Sequence, residues 1–192
     1  MQLTGKQIVN QGIISGVCDE GIQQQGVDVR VSKITRVSAH LGGLDIFDAL
    51  LMGKTDEYSK KVLGTIGYVP AQGKTKLPEN KEVKVEKVNG VPCWILGEGY
   101  YEVEFMEGCK IPANCAMYFK TRSSLVRCGS DVRSGQFDGG FETEKMGAFL
   151  KVELPVRIDV GARIAQAIVT ETYPVDEENL YNGQWQNDNQ RN

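Results

Sequence analysis

Histidine is almost missing from this chain. His40 is the only one in 192 residues. It has no second histidine or acid at ligand spacing beside it, so a loop or surface role is expected there rather than catalysis or metal binding. Cysteine occurs five times, at 18, 93, 109, 115 and 128, without a C-x-x-C pair. An odd, scattered set argues against a disulfide frame or a zinc site and predicts reduced, mostly packed thiols. Basic charge is not in excess: a net charge of −3 with 24% charged residues leaves no basic face for duplex nucleic acid. Any affinity for phosphate has to come from a few placed residues and a metal ion. Long apolar runs are absent too, with no stretch near ~18 residues, so no membrane span is expected. The first residues lack the basic patch and apolar run of a secretion signal, and the expected location is the cytoplasm, or a host cytoplasm if the source is viral. There is no internal repeat.

What is present is apolar residue enough, 41%, to bury one core, and 1–192 is read as a single domain. Thr4 caps a short helix over TGKQIVNQ, with Gln7 at the capping-box position and Gly12 as its stop. GVDVRVS, residues 26–32, alternates Val27, Val29 and Val31 with Asp28 and Arg30. That pattern predicts a half-buried strand with two charges on its open face. Residues 38–80 lose the pattern and read as an insertion or covering loop, with Asp45 able to cap a short helix. After 80 come KEVKVEKV, VPCWIL, YYEVEFM, CAMYFKT, AFLKVEL and ARIAQAIVTET, linked by turns such as Asn89-Gly90. Many short strands and little helix predict a mostly β chain, an antiparallel barrel or jelly roll. Residues 174–192 read either as a disordered tail or as a flap that orders on a ligand or a neighbouring subunit.

The chemistry concentrates in residues 118–142. Arg122, Ser123, Ser124 and Arg127 supply the guanidinium and hydroxyl groups that suit phosphate oxygens. Asp138, an isolated carboxylate between Phe137 and Gly139, suits activation of a water.

GVDVR, TRSSLVRCG, SGQFDGGF, GARIAQAIV and YNGQWQ resemble, in order, the five motifs of the dUTPase and dCTP deaminase superfamily, and most of all those of archaeal or phage-type dUTPases. The resemblance covers roughly residues 20–36 and 90–186. It implies a distorted jelly-roll β-barrel of the dUTPase type, assembled as a homotrimer with active sites shared between subunits. It implies a deoxypyrimidine triphosphate as substrate and Mg²⁺ as cofactor. Arg122, Ser123, Ser124, Arg127 and Gln166 are then expected on the phosphates, and Asp28 near the metal, holding it through water. Asp138 is expected to orient or deprotonate the attacking water. The backbone from Gly129 to Phe141, Phe137 included, is expected to read the base, and Phe141 to pack on the deoxyribose and exclude a 2′-hydroxyl. Tyr181, Gln184 and Gln186 are expected to close over the nucleotide.

The superfamily's deaminases carry a glutamate on the strand after the acid-bearing hairpin. In GAFLKVEL that position falls on Val152, expected to line the pocket, with Glu153 one residue late and aimed away. Hydrolysis of dUTP to dUMP and pyrophosphate is therefore the expected activity, serving to clear dUTP and supply dUMP. A dCTP deaminase, a bifunctional enzyme and a non-catalytic nucleotide-binding regulator are the alternatives.

Overall fold

The computed structural model describes residues 1–37, 67–78 and 80–186; the expectations for His40 and for a cap at Asp45 lie outside the described residues. In chain order the first elements are α1 (Gly5–Asn10), β1 (Ile14–Ser15), β2 (Ile22–Gln23), β3 (Gly26–Val37), β4 (Asn80–Glu82), β5 (Glu86–Val88) and β6 (Val91–Leu96). Then follow β7 (Gly99–Phe105), β8 (Gly108–Lys110), β9 (Cys115–Thr121), α2 (Ser123–Arg127), β10 (Ser130–Arg133), β11 (Glu142–Thr143), β12 (Gly147–Val152), β13 (Val156–Asp159) and β14 (Arg163–Glu171).

α1 forms where Thr4 and Gln7 satisfy each other's backbone N–H groups, at 3.3 and 2.9 Å, and it ends before Gly12, whose φ is +68°. Alternation decides the strands. In β7, Tyr101, Val103 and Phe105 are buried and Tyr100 and Glu102 take the other face. The run 81–88 divides into β4, which pairs with β3, and β5, which turns back into β6. That turn is Asn89-Gly90, with φ of 52° and 81°, the positive pair a two-residue hairpin requires.

One eight-stranded sheet follows the path β10-β12-β7-β3-β14-β9, with β2 and β4 added on β3. Its two end strands are joined by side chains rather than by a ladder. The Thr121 hydroxyl accepts from Val132 N–H at 2.9 Å and donates to the Asp131 carboxylate at 2.6 Å, while Phe119 N–H donates to Ser134 Oγ at 3.0 Å. The Thr121 contact holds the Asp131 carboxyl below the ordinary range. The result is a mostly β, nearly closed barrel with a short N-terminal helix, as the sequence led us to expect. Its interior is filled by Val27, Val29, Phe105, Met117 and Leu150, so it is a core and not a channel. Smaller sheets β1-β8-β11 and β13-β6-β5 flank it. Cys93, Cys109 and Cys115 are buried, and none of the five cysteines forms a disulfide. Among the described residues no helix is long and apolar enough to cross a membrane.

Candidate active site

Two groups of candidate side chains stand on different parts of the barrel. The first lies on β3, β14 and β9. Residues that face each other across a ladder share a face, so Asp28, Gln166 and Lys120 lie together. Arg163, three residues before Gln166, belongs on the opposite face of a regular strand. A bulge between Arg163 and Ala165 restores it to the face of Asp28. Arg122, just past the end of β9, brings its Nε to 3.0 Å from Asp28 Oδ2, and Arg163 Nη1 stands 3.7 Å from the same oxygen.

Asp28 was expected on an open face, and here the structure corrects the sequence: the carboxylate is 2% exposed. The segment 16–21 lies across that side of the sheet, fastened by Arg30 Nη2 to Gly16 O at 2.6 Å and by Arg163 Nη1 to Glu20 O. Arg30 is in turn fixed by Glu107, which is fully buried and takes Arg30 Nε at 2.6 Å and Arg30 N–H at 2.8 Å. Desolvation pushes the Asp28 carboxyl above its ordinary range, against the pull of Arg122 and Arg163. Its Oδ2 is buried and accepts no well-formed hydrogen bond. Among the described residues no group of three or more His, Cys, Asp or Glu could cage a metal. One carboxylate oxygen suits a magnesium ion that keeps its waters and its phosphate ligands, so the residues fit a metal that arrives with a triphosphate.

The second group surrounds a cavity of about 630 Å³. Asp138, exposed, opens a turn closed by Phe141 N–H on Asp138 O at 3.0 Å, and its Oδ1 accepts from Gln136 Nε2 at 2.8 Å. Phe137, Phe141 and Tyr181 stack edge to face in series, 5.2 and 5.3 Å between centroids, and line the cavity with Asp138. The outer face of β7 and β12 supplies Tyr100, Glu102, Phe149 and Lys151. A second cavity of about 530 Å³ lies on the other side of the turn and shares Gln136, Asp138 and Tyr181.

The tail folds back on its own chain as far as residue 186. Tyr181 N–H donates to Gly139 O at 2.9 Å. Gly140, φ +92°, leaves no room for a Cβ, which would stand 2.9 Å from Leu180 Cβ. Gln184 and Gln186 do not present their amides to the cavity as expected. Gln184 grips both backbone groups of Thr75 at 2.8 Å, and Gln186 bonds Gly140 O at 2.9 Å and Glu142 N–H at 3.2 Å. Among the described residues of the tail, Tyr181 and Trp185 reach the cavity, joined by Leu77 from the segment that Gln184 holds.

Three other expectations change. Gly129 caps α2 with φ +70°, packs against Leu154 and gives its carbonyl to Glu153 N–H, and it does not line the cavity. Val152 does not line it either: it is 1% exposed in the core. The cavity lies outside the barrel, and the residues of β12 on that side include Gly147, Phe149 and Lys151. Glu153 continues their parity but lies beyond the strand, 60% exposed and paired with Lys151 at 2.6 Å. Ser123, Ser124 and Arg127 are exposed on α2. Neither cavity is lined by them, nor by Asp28, Arg122 or Gln166. Arg163 and Trp185 were missed although both lie within quoted motifs. Only the bulge, which no residue type marks, puts Arg163 beside Asp28.

A family model described as dCTP deaminase-like matches residues 56–172, beginning inside the 38–80 segment that the motif resemblance leaves out and taking in the arginine–serine turn, Asp138 and Gln166. The chain belongs to that family. Within it, the chain is similar to a probable deoxyuridine 5′-triphosphate nucleotidohydrolase of Methanosarcina mazei, 35% identical over 117 residues, or 59% of this chain and 65% of that protein. It is also similar to the deoxyuridine 5′-triphosphate nucleotidohydrolase of Methanocaldococcus jannaschii, 30% identical over 168 residues, 86% of this chain and 89% of that one. The fold is like that of 2′-deoxycytidine 5′-triphosphate deaminase from Agrobacterium tumefaciens, with a TM-score of 0.54 at 13% identity over 88% of this chain and 48% of that chain. The chain thus spans just under two thirds of the Methanosarcina protein and about half of the deaminase.

Proposed function

We propose that the chain hydrolyses dUTP to dUMP and pyrophosphate. The observation that carries this reading is the acid inventory of the larger cavity. Asp138 stands on its rim, and none of the residues that β12 turns towards it is acidic. The deaminases of the superfamily that the motifs resemble take their proton shuttle from that strand, whereas cleavage between the α and β phosphates requires an acid that can take a proton from water. The names of the archaeal relatives support the same reading.

Uracil and deoxyribose enter beside Phe137 and Phe141, and Phe141 leaves no space for a 2′-hydroxyl. Asp138 orients a water and accepts its proton as the oxygen attacks the α-phosphorus; the bond to the bridging oxygen breaks and pyrophosphate leaves. Arg122, Ser123, Ser124, Arg127 and Gln166 hold the phosphates, and each donor that tightens on developing charge lowers the barrier by about 2 to 4 kcal/mol. Mg²⁺ bound with the triphosphate would neutralise part of its charge, and Asp28, which lies under segment 16–21, would hold it through water once that segment is drawn aside.

The active unit is a homotrimer in which each site is shared. Phe137 bridges Met117 on β9, and Arg122 lies five residues further along, roughly 16 Å at strand spacing. That separation supports a base half and a phosphate half supplied by different copies. Incubation with Mg²⁺ and either dUTP or dCTP, read for pyrophosphate and ammonia, tests the reading. Pyrophosphate from dUTP is expected, and ammonia from dCTP overturns it, in which case Glu102, the other carboxylate lining the cavity among the described residues, is the first residue to substitute.

A further inference from the structure

The arrangement around Asp28 has one guanidinium more than a simple ion pair needs. Arg122 and Arg163 both face Oδ2, at 3.0 and 3.7 Å. They differ in how they are tied. Arg122 Nη1 donates to Arg163 O at 3.0 Å, and Arg163 Nη1 donates to Glu20 O on the segment that covers the site. Both are about a third exposed, while the carboxylate is 2% exposed.

A phosphate chain that drew Arg122 outward would take the nearer cation from a carboxylate sealed from water. A buried charge stripped of its partner is strongly unfavourable, so the recruitment of Arg122 would be opposed unless another cation stayed behind. Arg163, bulged onto the same face and anchored to the Glu20 carbonyl, is that cation. We infer that Arg163 is a positioning residue of the phosphate site: it keeps the charge of Asp28 balanced so that the Arg122 guanidinium is free to turn to the substrate. This rests on the reading above that Arg122 contacts phosphates, and it adds a role for a residue that itself touches no substrate.

Inorganic tripolyphosphate, with metal chelated, is the probe, and calorimetry the measurement. Wild-type chain is expected to bind it and Arg122→Ala to lose it; no binding by the wild type, or full binding by Arg122→Ala, overturns the phosphate-site reading and this inference with it. Given that, Arg163→Gln is expected to weaken binding by about tenfold or more, and Arg163→Lys, which keeps the charge, by about threefold at most. The deciding comparison is made in Asp28→Asn, where there is no carboxylate left to balance. There, Arg163→Gln is expected to change affinity less than about twofold. An equal loss in both backgrounds overturns the inference, because Arg163 then acts on phosphate or on the fold independently of Asp28. No loss in either background overturns it as well. Melting temperatures of all variants separate binding from folding: if Asp28→Asn restores the stability of Arg163→Gln but not its affinity, Arg163 is structural and the inference fails.

Discussion

Asp138 and Asp28 are both acids, and their surroundings separate them. Asp138 is exposed and bonded through one oxygen to Gln136. Asp138→Asn keeps the size and hydrogen bonding of the side chain but not its basicity. It is expected to lose most of kcat, about 100-fold or more, while still binding dUTP; steady-state kinetics with a separate binding titration checks this, and normal turnover removes Asp138 from its role. Asp28 is sealed and its carboxyl lies above the ordinary range. A raised acid contributes stability that is present below its unfolded value, about 4, and lost as pH rises through its folded value. Asn at position 28 suffers no such loss, and the two arginines remain open to water. Asp28→Asn is therefore expected to melt at or above wild type at pH 7, with the margin shrinking below about pH 4. Thermal melts across that window decide it; a margin that grows towards acid contradicts the sign.

At the level of elements, the strands were legible because the alternation of apolar residues matches the pleat. The runs 91–96 and 115–121 are β6 and β9 without adjustment, and Thr4 with Gln7 marked the start of α1. What could not be read was whatever lies over a strand. GVDVR alternates as a half-open strand does, yet Asp28 is covered by a segment with no periodic signal of its own. Parity gave the correct alternation along GAFLKVEL but the wrong side, because sequence does not tell which face of a barrel strand meets the core and which meets a cavity. The lost pattern between 38 and 80 likewise hid the contact between Thr75 and Gln184. That contact holds a short piece of chain carrying one isolated bridge, Tyr68 to Lys76. Gln184→Ala removes two hydrogen bonds, about 1 kcal/mol each. Faster amide exchange at Thr75 is expected, with KM for dUTP raised more than kcat is lowered. Unchanged protection at Thr75 would mean that the tail does not hold that wall.

For the whole molecule, the proposed sharing of each site, with Asp138 and Arg122 from different copies, would make the assembly part of the chemistry. Asp138→Asn and Arg122→Ala copies, each inactive alone, are expected to regain activity when unfolded and refolded together. In random trimers about a quarter of the shared sites receive an intact Asp138 from one variant and an intact Arg122 from the other. A mixture as silent as its parts places both halves of the site on one copy.

The chain contains two tryptophans, and the fold treats them oppositely. Trp94, on β6, is 2% exposed in the core, while Trp185 is 37% exposed at the cavity edge, its backbone N–H donating to the Tyr181 hydroxyl at 3.2 Å. Fluorescence is therefore split into a steady background and an indole that a nucleotide ring can quench. Emission should dim on adding dUMP in the native chain and in Trp94→Phe but not in Trp185→Phe, which makes occupancy readable without label or turnover.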